Sequence, residues 1–421
     1  MLLRTLFRSS AATYVIPLLV VFVLLAIGHD LTSWTTDHYW PSATGSSTYA
    51  LPFVSTICAG LGAWEGARLS RGGVFGHPHV RSPLGVSAPV LTLVVAGGAI
   101  TCLVALCLSA NAAAVGWGSP DWGILAVELL VVTSNTLVGY CIGRRWTAVL
   151  SVPAVLVSAF VANAYPASWN ILWIRHLVGG GLSACCGTDQ VLNVWAVWSA
   201  VAFTLGIVLA CVTVISFDAT RKALVSGLLL VLVGTGVGTA FAHGLSSEPL
   251  VARPDSDLRC ESVAGLKVCL WPEVRDPAMV RSQASRVVRS LHEAGVSTPD
   301  VLTMAAHASG KEAKLGISPG ARQQDISAGV VSGLMPPTPA CAARQSYPAA
   351  EAAAPVAAWM LLTAGATVET TTRHTGTEAT ALAQKIRSLP SETQTIWYRV
   401  NFQAMGACDV NPQLIPRRGG S

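Results

Sequence analysis

Apolar residues run in long blocks through the first 245 positions and in short periodic patches after them. A helix needs about 20 consecutive apolar residues to cross a bilayer. Seven stretches reach or approach that length, at 12–28, 49–67, 86–110, 124–143, 147–164, 194–217 and 223–243; the fifth contains Pro153. The pattern predicts a membrane all-α domain of about seven transmembrane helices over residues 1–245. Beyond it the spacing changes. Strands are expected at 257–261 and 267–271 around a turn at Ala264 and Gly265. Asp276 is placed to cap a helix whose first residue is Pro277, with Val280, Val287, Val288 and Leu291 on one face. A third, alanine-rich helix is expected over 349–366. A later helix starts at Ser391, with Gln394 completing a capping box and Trp397, Val400, Ala404 and Cys408 forming its buried stripe. Residues 246–415 therefore read as a small, mostly helical α+β domain, and 416–421 as a disordered tail.

Composition sharpens this division. The chain of 421 residues is 52% hydrophobic and only 12% charged, half the roughly 25% charge of an average soluble protein. Mean hydropathy is +0.53. Ten of the 27 Lys and Arg and seven of the 22 Asp and Glu fall in residues 1–245, so charge is concentrated in the shorter C-terminal part. The net charge of +5 comes without a basic run or basic–aromatic interleaving, which excludes a nucleic-acid partner as the natural reading.

The distribution of basic residues predicts orientation. Arg4 and Arg8, then Arg68, Arg71 and Arg81, then Arg144 and Arg145, then Arg221 and Lys222 occupy alternate loops, and the intervening loops hold only Arg175. By the positive-inside rule the N-terminus is cytoplasmic. Seven spans would then place 246–415 outside the cytoplasm, at a plasma membrane. Trp40, Trp117, Trp122, Trp169, Trp173, Trp195 and Trp198 fall at the predicted outer ends, as an interfacial belt would. Arg4 and Arg8 before an apolar run resemble a signal peptide, but no small-residue cleavage site follows, so the segment reads as an uncleaved first span.

An oxidising compartment would make disulfide candidates of Cys260, Cys269, Cys341 and Cys408. The strand pattern around Ala264 and Gly265 favours Cys260–Cys269, which leaves Cys341–Cys408; the state of Cys185 and Cys186 is left open. Within the apolar stretches, Glu128 and Asn135 form a candidate intramembrane polar site, weighed against a place for Glu128 near the outer interface, reaching water or a partner helix. Glu65 and Arg68 read as a snorkelling pair, and Gly139 and Gly143 as a small-xxx-small packing step. His77 and His79 lack a third metal ligand in sequence. No phosphate-binding loop, zinc-protease helix motif or nucleophile elbow occurs, so neither a cofactor nor catalysis is expected in this chain.

Three patches carry a resemblance. They are Ala63-Trp-Glu-Gly-Ala-Arg-Leu-Ser-Arg71, Leu137-Val-Gly-Tyr-Cys-Ile-Gly-Arg-Arg145, and Val268-Cys-Leu-Trp-Pro-Glu273 together with the Trp397 helix ending at Cys408. In these the chain resembles the permease subunits of actinobacterial ABC transporters of the second exporter class, in a subgroup with a C-terminal extracytoplasmic domain. The resemblance implies export of an unspecified substrate, driven by ATP and Mg on a separate cytoplasmic ATPase subunit. It also implies pairing with a second permease as homodimer or heterodimer. The loop at 68–85, with Arg68, Arg71, His77 and Arg81, would be the element coupled to the ATPase. The alternatives are a membrane-anchored envelope sensor or scaffold acting through the C-terminal domain, and a membrane enzyme with dispersed catalytic residues.

Overall fold

The structure, a computed structural model, describes residues 8–74, 82–116, 118–308 and 312–415. His77, His79, Arg81, Arg4, Trp117 and the 416–421 tail lie outside the described residues. The chain divides into two compact units, Met1–Val251 and Ala252–Ser421.

The first unit is helical. Helix α1 (Ala12–Ala26) is followed by two short helices, α2 (Gly28–Ser33) and α3 (Trp40–Ser47). Helix α3 lies outside the predicted apolar stretches, yet Ser42 to Ser47 are all buried. Then come α4 (Leu51–Arg71), α5 (Pro83–Ala112), α6 (Trp122–Gly143), α7 (Ala148–Ala164), α8 (Leu172–Leu177), α9 (Val194–Ser216) and α10 (Arg221–Ala242). Short polar residues set the starts. Ser82 Oγ accepts from Gly85 N, Asp121 from Gly123 N and Ile124 N, Asn193 from Trp195 N, and Thr220 from Ala223 N. Each satisfies an amide that the helix cannot. Two short strands, β1 (Gln190–Leu192) and β2 (Leu250–Ala252), form a two-stranded sheet.

Among the described residues four helices, α5, α6, α9 and α10, are long and apolar enough to cross a membrane, rather than seven. The other three stretches fall short for different reasons. Helix α1 has 15 residues before the chain turns into α2, and α7 has 17. Helix α4 has 21 residues but carries Glu65, Arg68 and Arg71 among small polar ones. Four such helices do not by themselves place the C-terminal unit outside the cytoplasm.

Helix α4 is the hub. It packs along α6 and α7, and α6 in turn packs on α9, which pairs with α10. The α4–α6 contact is made by backbone. A Cβ at Gly139 or Gly143 would overlap the carbonyl oxygens of Ala59 and Ala63, and a Cβ at Gly62 or Gly66 would overlap those of Thr136 and Tyr140. The small-xxx-small step thus has a matching step on its partner, and close approach needs all four glycines.

The expected snorkelling pair is anchored through its buried half. Glu65 is fully buried; it accepts from Ser10 Oγ at 2.9 Å, Ala11 N at 3.2 Å and Arg68 Nε at 2.7 Å. Arg68 Nη1 also donates to the Ser9 carbonyl at 2.8 Å. Two of the carboxylate's partners come from the segment entering α1, so the pair ties that segment to α4, with Glu65 buried and the Arg68 side chain one-third exposed.

In the second unit, β3 (Arg259–Val263) and β4 (Leu266–Leu270) form an antiparallel hairpin; β5 (Val301–Thr303) and β6 (Glu312–Lys314) add to it in parallel, in the order β3-β4-β5-β6. The hairpin turn holds Ala264 at φ 51° and Gly265 at φ 85°, the two left-handed positions of a two-residue hairpin turn. Helix α11 (Pro277–Glu293) connects β4 to β5, with Asp276 accepting from Met279 N. Five more helices follow: α12 (Gln323–Leu334), α13 (Ala353–Thr363), α14 (Val368–Thr375), α15 (Thr377–Arg387) and α16 (Ser391–Ala404). Their core joins Trp271, Leu291, Leu302, Ile326, Trp359 and Tyr398.

Two local readings need correction. No capping box forms at Ser391. Gln394 instead donates to the carbonyls of Arg387 and Leu389 and accepts from Trp359 Nε1 at 3.1 Å. The amide is worth more to the buried indole than to a solvated helix end. Cys408 lies four residues past the end of α16, not on it, and bonds to Cys341. Cys260 and Cys269, opposite each other in the hairpin register, also bond. Cys185 and Cys186 bond to each other across a cis peptide.

Candidate functional site

The site lies on α6. One face of this helix is used up by the glycine contact with α4. The next face, with Asn135, Val138 and Ile142, forms the floor of a groove. Helix α7 supplies one wall through Val155, Ser158 and Asn163, and α9 the other through Phe203, Thr204 and Ile207. The walls diverge because α7 packs on α4 and α6, while α9 packs on α6 and α10.

Two adjoining cavities fill this groove, and a third adjoins them between the start of α4, the end of α7 and residues 178–183. The largest, about 980 Å³, lies at the end of α6 that carries Arg144 and Arg145. It shares Ile142, Val155 and Ser158 with a middle cavity of about 270 Å³. That cavity shares Asn163 and Val178 with a third, of about 250 Å³, ringed by Gly179, Gly180 and Gly181. On α7 the lining runs from Ala154 to Ala164, roughly 15 Å at 1.5 Å per residue, about half the ~30 Å of a hydrocarbon core.

Polar groups mark the groove at two levels. Halfway along, Asn163 Nδ2 donates to Asn135 Oδ1 at 3.1 Å, and Asn135 Nδ2 to Asn163 Oδ1 at 3.4 Å. Each amide also donates to a carbonyl one turn back in its own helix, Val131 and Ala159. The pair bridges α6 to α7 with its donors satisfied. At the wide end, Arg144 pairs with Asp218 at 2.6 Å. Arg145, on the exposed side, donates to the Ala219 carbonyl at 3.4 Å. Asp218 and Ala219, both at positive φ, make the tight turn from α9 to α10, and Arg221 and Lys222 open the next helix. The wide end is therefore net positive.

The predicted site residues separate. Asn135 lines the groove; Glu128 does not. Glu128 is buried and accepts from Ser47 Oγ of α3 at 3.1 Å. It sits inside the bundle beside α3, not at an interface with water. Arg68 is committed to Glu65 and Ser9, whereas Arg71 is exposed in the last turn of α4. Asn163, Ser158 and Arg145 as groove residues were not singled out. Asn163 carried the one available signal, a lone amide in the apolar 147–164 stretch. Among the described residues no group of three or more His, Cys, Asp or Glu could hold a metal ion.

In the second unit, the Val268-Cys-Leu-Trp-Pro-Glu273 segment serves architecture. Trp271 is fully buried and its Nε1 donates to the Met304 carbonyl at 3.0 Å. The Arg253 guanidinium stacks 4.4 Å from the Trp271 ring centre and pairs with Glu273 at 3.0 Å. This fastens the start of the second unit to its own sheet.

Comparison with known proteins reaches only this second unit. A protein-family model described as a domain of unknown function, DUF7224, matches residues 268–408, from the middle of β4 to the second cysteine of the Cys341–Cys408 bond. No curated protein and no solved structure matches the chain.

Proposed function

We propose that the chain is the membrane-spanning permease subunit of an exporter. A separate cytoplasmic ATPase supplies the ATP and Mg chemistry, and the α6–α7–α9 groove is the path. The observation that carries this reading is the row of three cavities. A membrane scaffold has no use for such a row, whereas a transporter needs a path whose irregular and polar groups line a cavity.

In this reading α1, α4 and α7 also cross the membrane and complete seven spans. The basic ends at Arg71, Arg144, Arg145, Arg221 and Lys222 face the cytoplasm, and the disulfide-bearing C-terminal unit lies outside. The subunit works in a plasma membrane as a homodimer or with a second permease. Arg71, not Arg68, belongs to the surface offered to the ATPase. Motion reaches the groove through α4, since its glycine face is locked to α6 and a shift of one helix must carry the other.

The test is affinity purification of the tagged protein from native membranes in mild detergent. A stoichiometric P-loop ATPase is expected, lost when residues 72–81 are replaced by a Gly/Ser loop and Arg68 is kept. Recovery of the intact protein without an ATPase, where a reference transporter complex survives, rejects the reading.

A further inference from the structure

We propose that the groove between α7 and α9 is a binding site for a membrane lipid with an anionic headgroup. The headgroup would sit at Arg145 and the acyl chains along α6 toward the Asn135–Asn163 pair. The inference deepens the transport reading of the same groove and rests on it.

Shape comes first. The groove has a floor and two walls from three helices, and its largest cavity is at the upper end of the ~300–1,000 Å³ found for sites that enclose a sizeable ligand. Its long axis follows the helices, as acyl chains do.

Chemistry comes second. Between the two polar levels the lining is Val155, Ile142, Val214 and Ile215, with the Ser158 hydroxyl bonded back to the Val155 carbonyl. A peptide would leave backbone amides without partners against such walls. A small soluble anion would leave the apolar walls facing water. A lipid tail needs no hydrogen bonds there.

Charge comes third. Asp218 balances Arg144, whereas Arg145 donates to a backbone carbonyl, which leaves its charge for an anion. A guanidinium presents parallel donors that match phosphate oxygens. Trp146, exposed beside it, lines the same cavity and is the residue type that settles at headgroup depth.

The experiment is photolabelling of the full-length protein in phosphatidylcholine nanodiscs. These contain a few mole per cent of phosphatidylglycerol or phosphatidylcholine with a diazirine in the acyl chain, and labelled peptides are mapped by mass spectrometry. Phosphatidylglycerol is expected to label the groove faces of α6, α7 and α9 at least threefold more than phosphatidylcholine. The two should label the exposed Leu228, Leu229 and Leu232 face of α10 equally. Arg145→Glu, a surface change, should abolish the difference; Ser158→Phe should remove groove labelling and leave that of α10. Equal labelling by both lipids, or a preference unmoved by Arg145→Glu, overturns the proposal. So does an unlabelled groove whose α7 residues cross-link to a second copy of the chain. The assay contains no ATPase. Lipid labelling without a co-purifying ATPase keeps the site and removes the transport reading; an ATPase without labelling keeps transport and removes the lipid.

Discussion

Gly143 lies so close to the carbonyl oxygen of Ala63 that any side chain there would overlap it. One turn away Gly66 stands in the same relation to Tyr140, so α4 and α6 meet backbone to backbone. Membrane helices have little hydrophobic force to hold them together, and contact of this kind replaces it. Gly143→Val should force the helices apart and cost roughly 1–3 kcal/mol, the scale of overpacking a tight core. Gly236→Val is the contrast, because a Cβ at Gly236 meets nothing within 4 Å. Thermal unfolding in detergent should show a clear fall in Tm for the first and little change for the second. Equal effects would mean that the α4–α6 contact is not special.

The Glu65 network gives a second contrast on one helix. Glu65→Ala removes a fully buried carboxylate that holds Ser10, the Ala11 amide and Arg68. The charge left behind is the Arg68 guanidinium, one-third exposed, so the cost is roughly 1–3 kcal/mol, that of hydrogen bonds lost at a buried site. Arg71→Ala, in the exposed last turn, should stay within about 0.5 kcal/mol, as surface substitutions do. Hydrogen exchange reads the first directly: the Ala11 amide should lose its protection in Glu65→Ala and keep it in Arg71→Ala.

These residues also show what was legible in the sequence. Gly139 and Gly143 stood out by their spacing. Their partners Ala59, Gly62, Ala63 and Gly66 could be paired with them only once α4 and α6 were side by side. Local signals read well: the turn at Ala264 and Gly265, the Asp276-Pro277 helix start, and the strands that bring Cys260 opposite Cys269 each depend on neighbours in sequence. Glu65 and Gln394 misled because their partners, Ser10 and Trp359, lie 55 and 35 residues away. The spans were legible in part: four of the seven apolar stretches form helices long and apolar enough to cross a membrane, whereas 49–67 belongs to α4, which runs on into Arg68 and Arg71. The groove was the least legible feature. It is a space between α7 and α9, and no single segment encodes a space.

The two disulfides of the second unit should differ in weight. Cys341 and Cys408 are separated by 67 positions, Cys260 and Cys269 by 9. A cross-link stabilises by restricting the unfolded chain, and the effect grows with the logarithm of the loop. The chain-entropy relation gives about 4 kcal/mol for the long loop and about 2.5 kcal/mol for the short one. Cys341→Ser with Cys408→Ser should therefore expose the second unit to protease at lower temperature than Cys260→Ser with Cys269→Ser. The reverse order would mean that the hairpin bond holds more than its own loop.

His176, in α8, supplies a pH dependence. Its ring is buried, and Nε2 donates to the Ser246 carbonyl at 3.0 Å, while Nδ1 is buried with no hydrogen-bond partner among the described residues. Burial pushes its pKa below the ordinary value of 6.5; the Ser246 bond opposes this and Arg175 adds to it. The folded protein thus holds a neutral imidazole where the unfolded chain binds a proton. Between the lowered folded pKa and about 6.5 the unfolded state carries more protons, so stability rises with pH across that window. The contribution is complete above about 6.5 and is lost as the pH falls toward the folded value. Tm should drop between pH 6.5 and 5, and His176→Gln should flatten that part of the profile while leaving the region above pH 7 parallel to the parent. A parent profile unchanged by the substitution would assign the acid sensitivity to other groups.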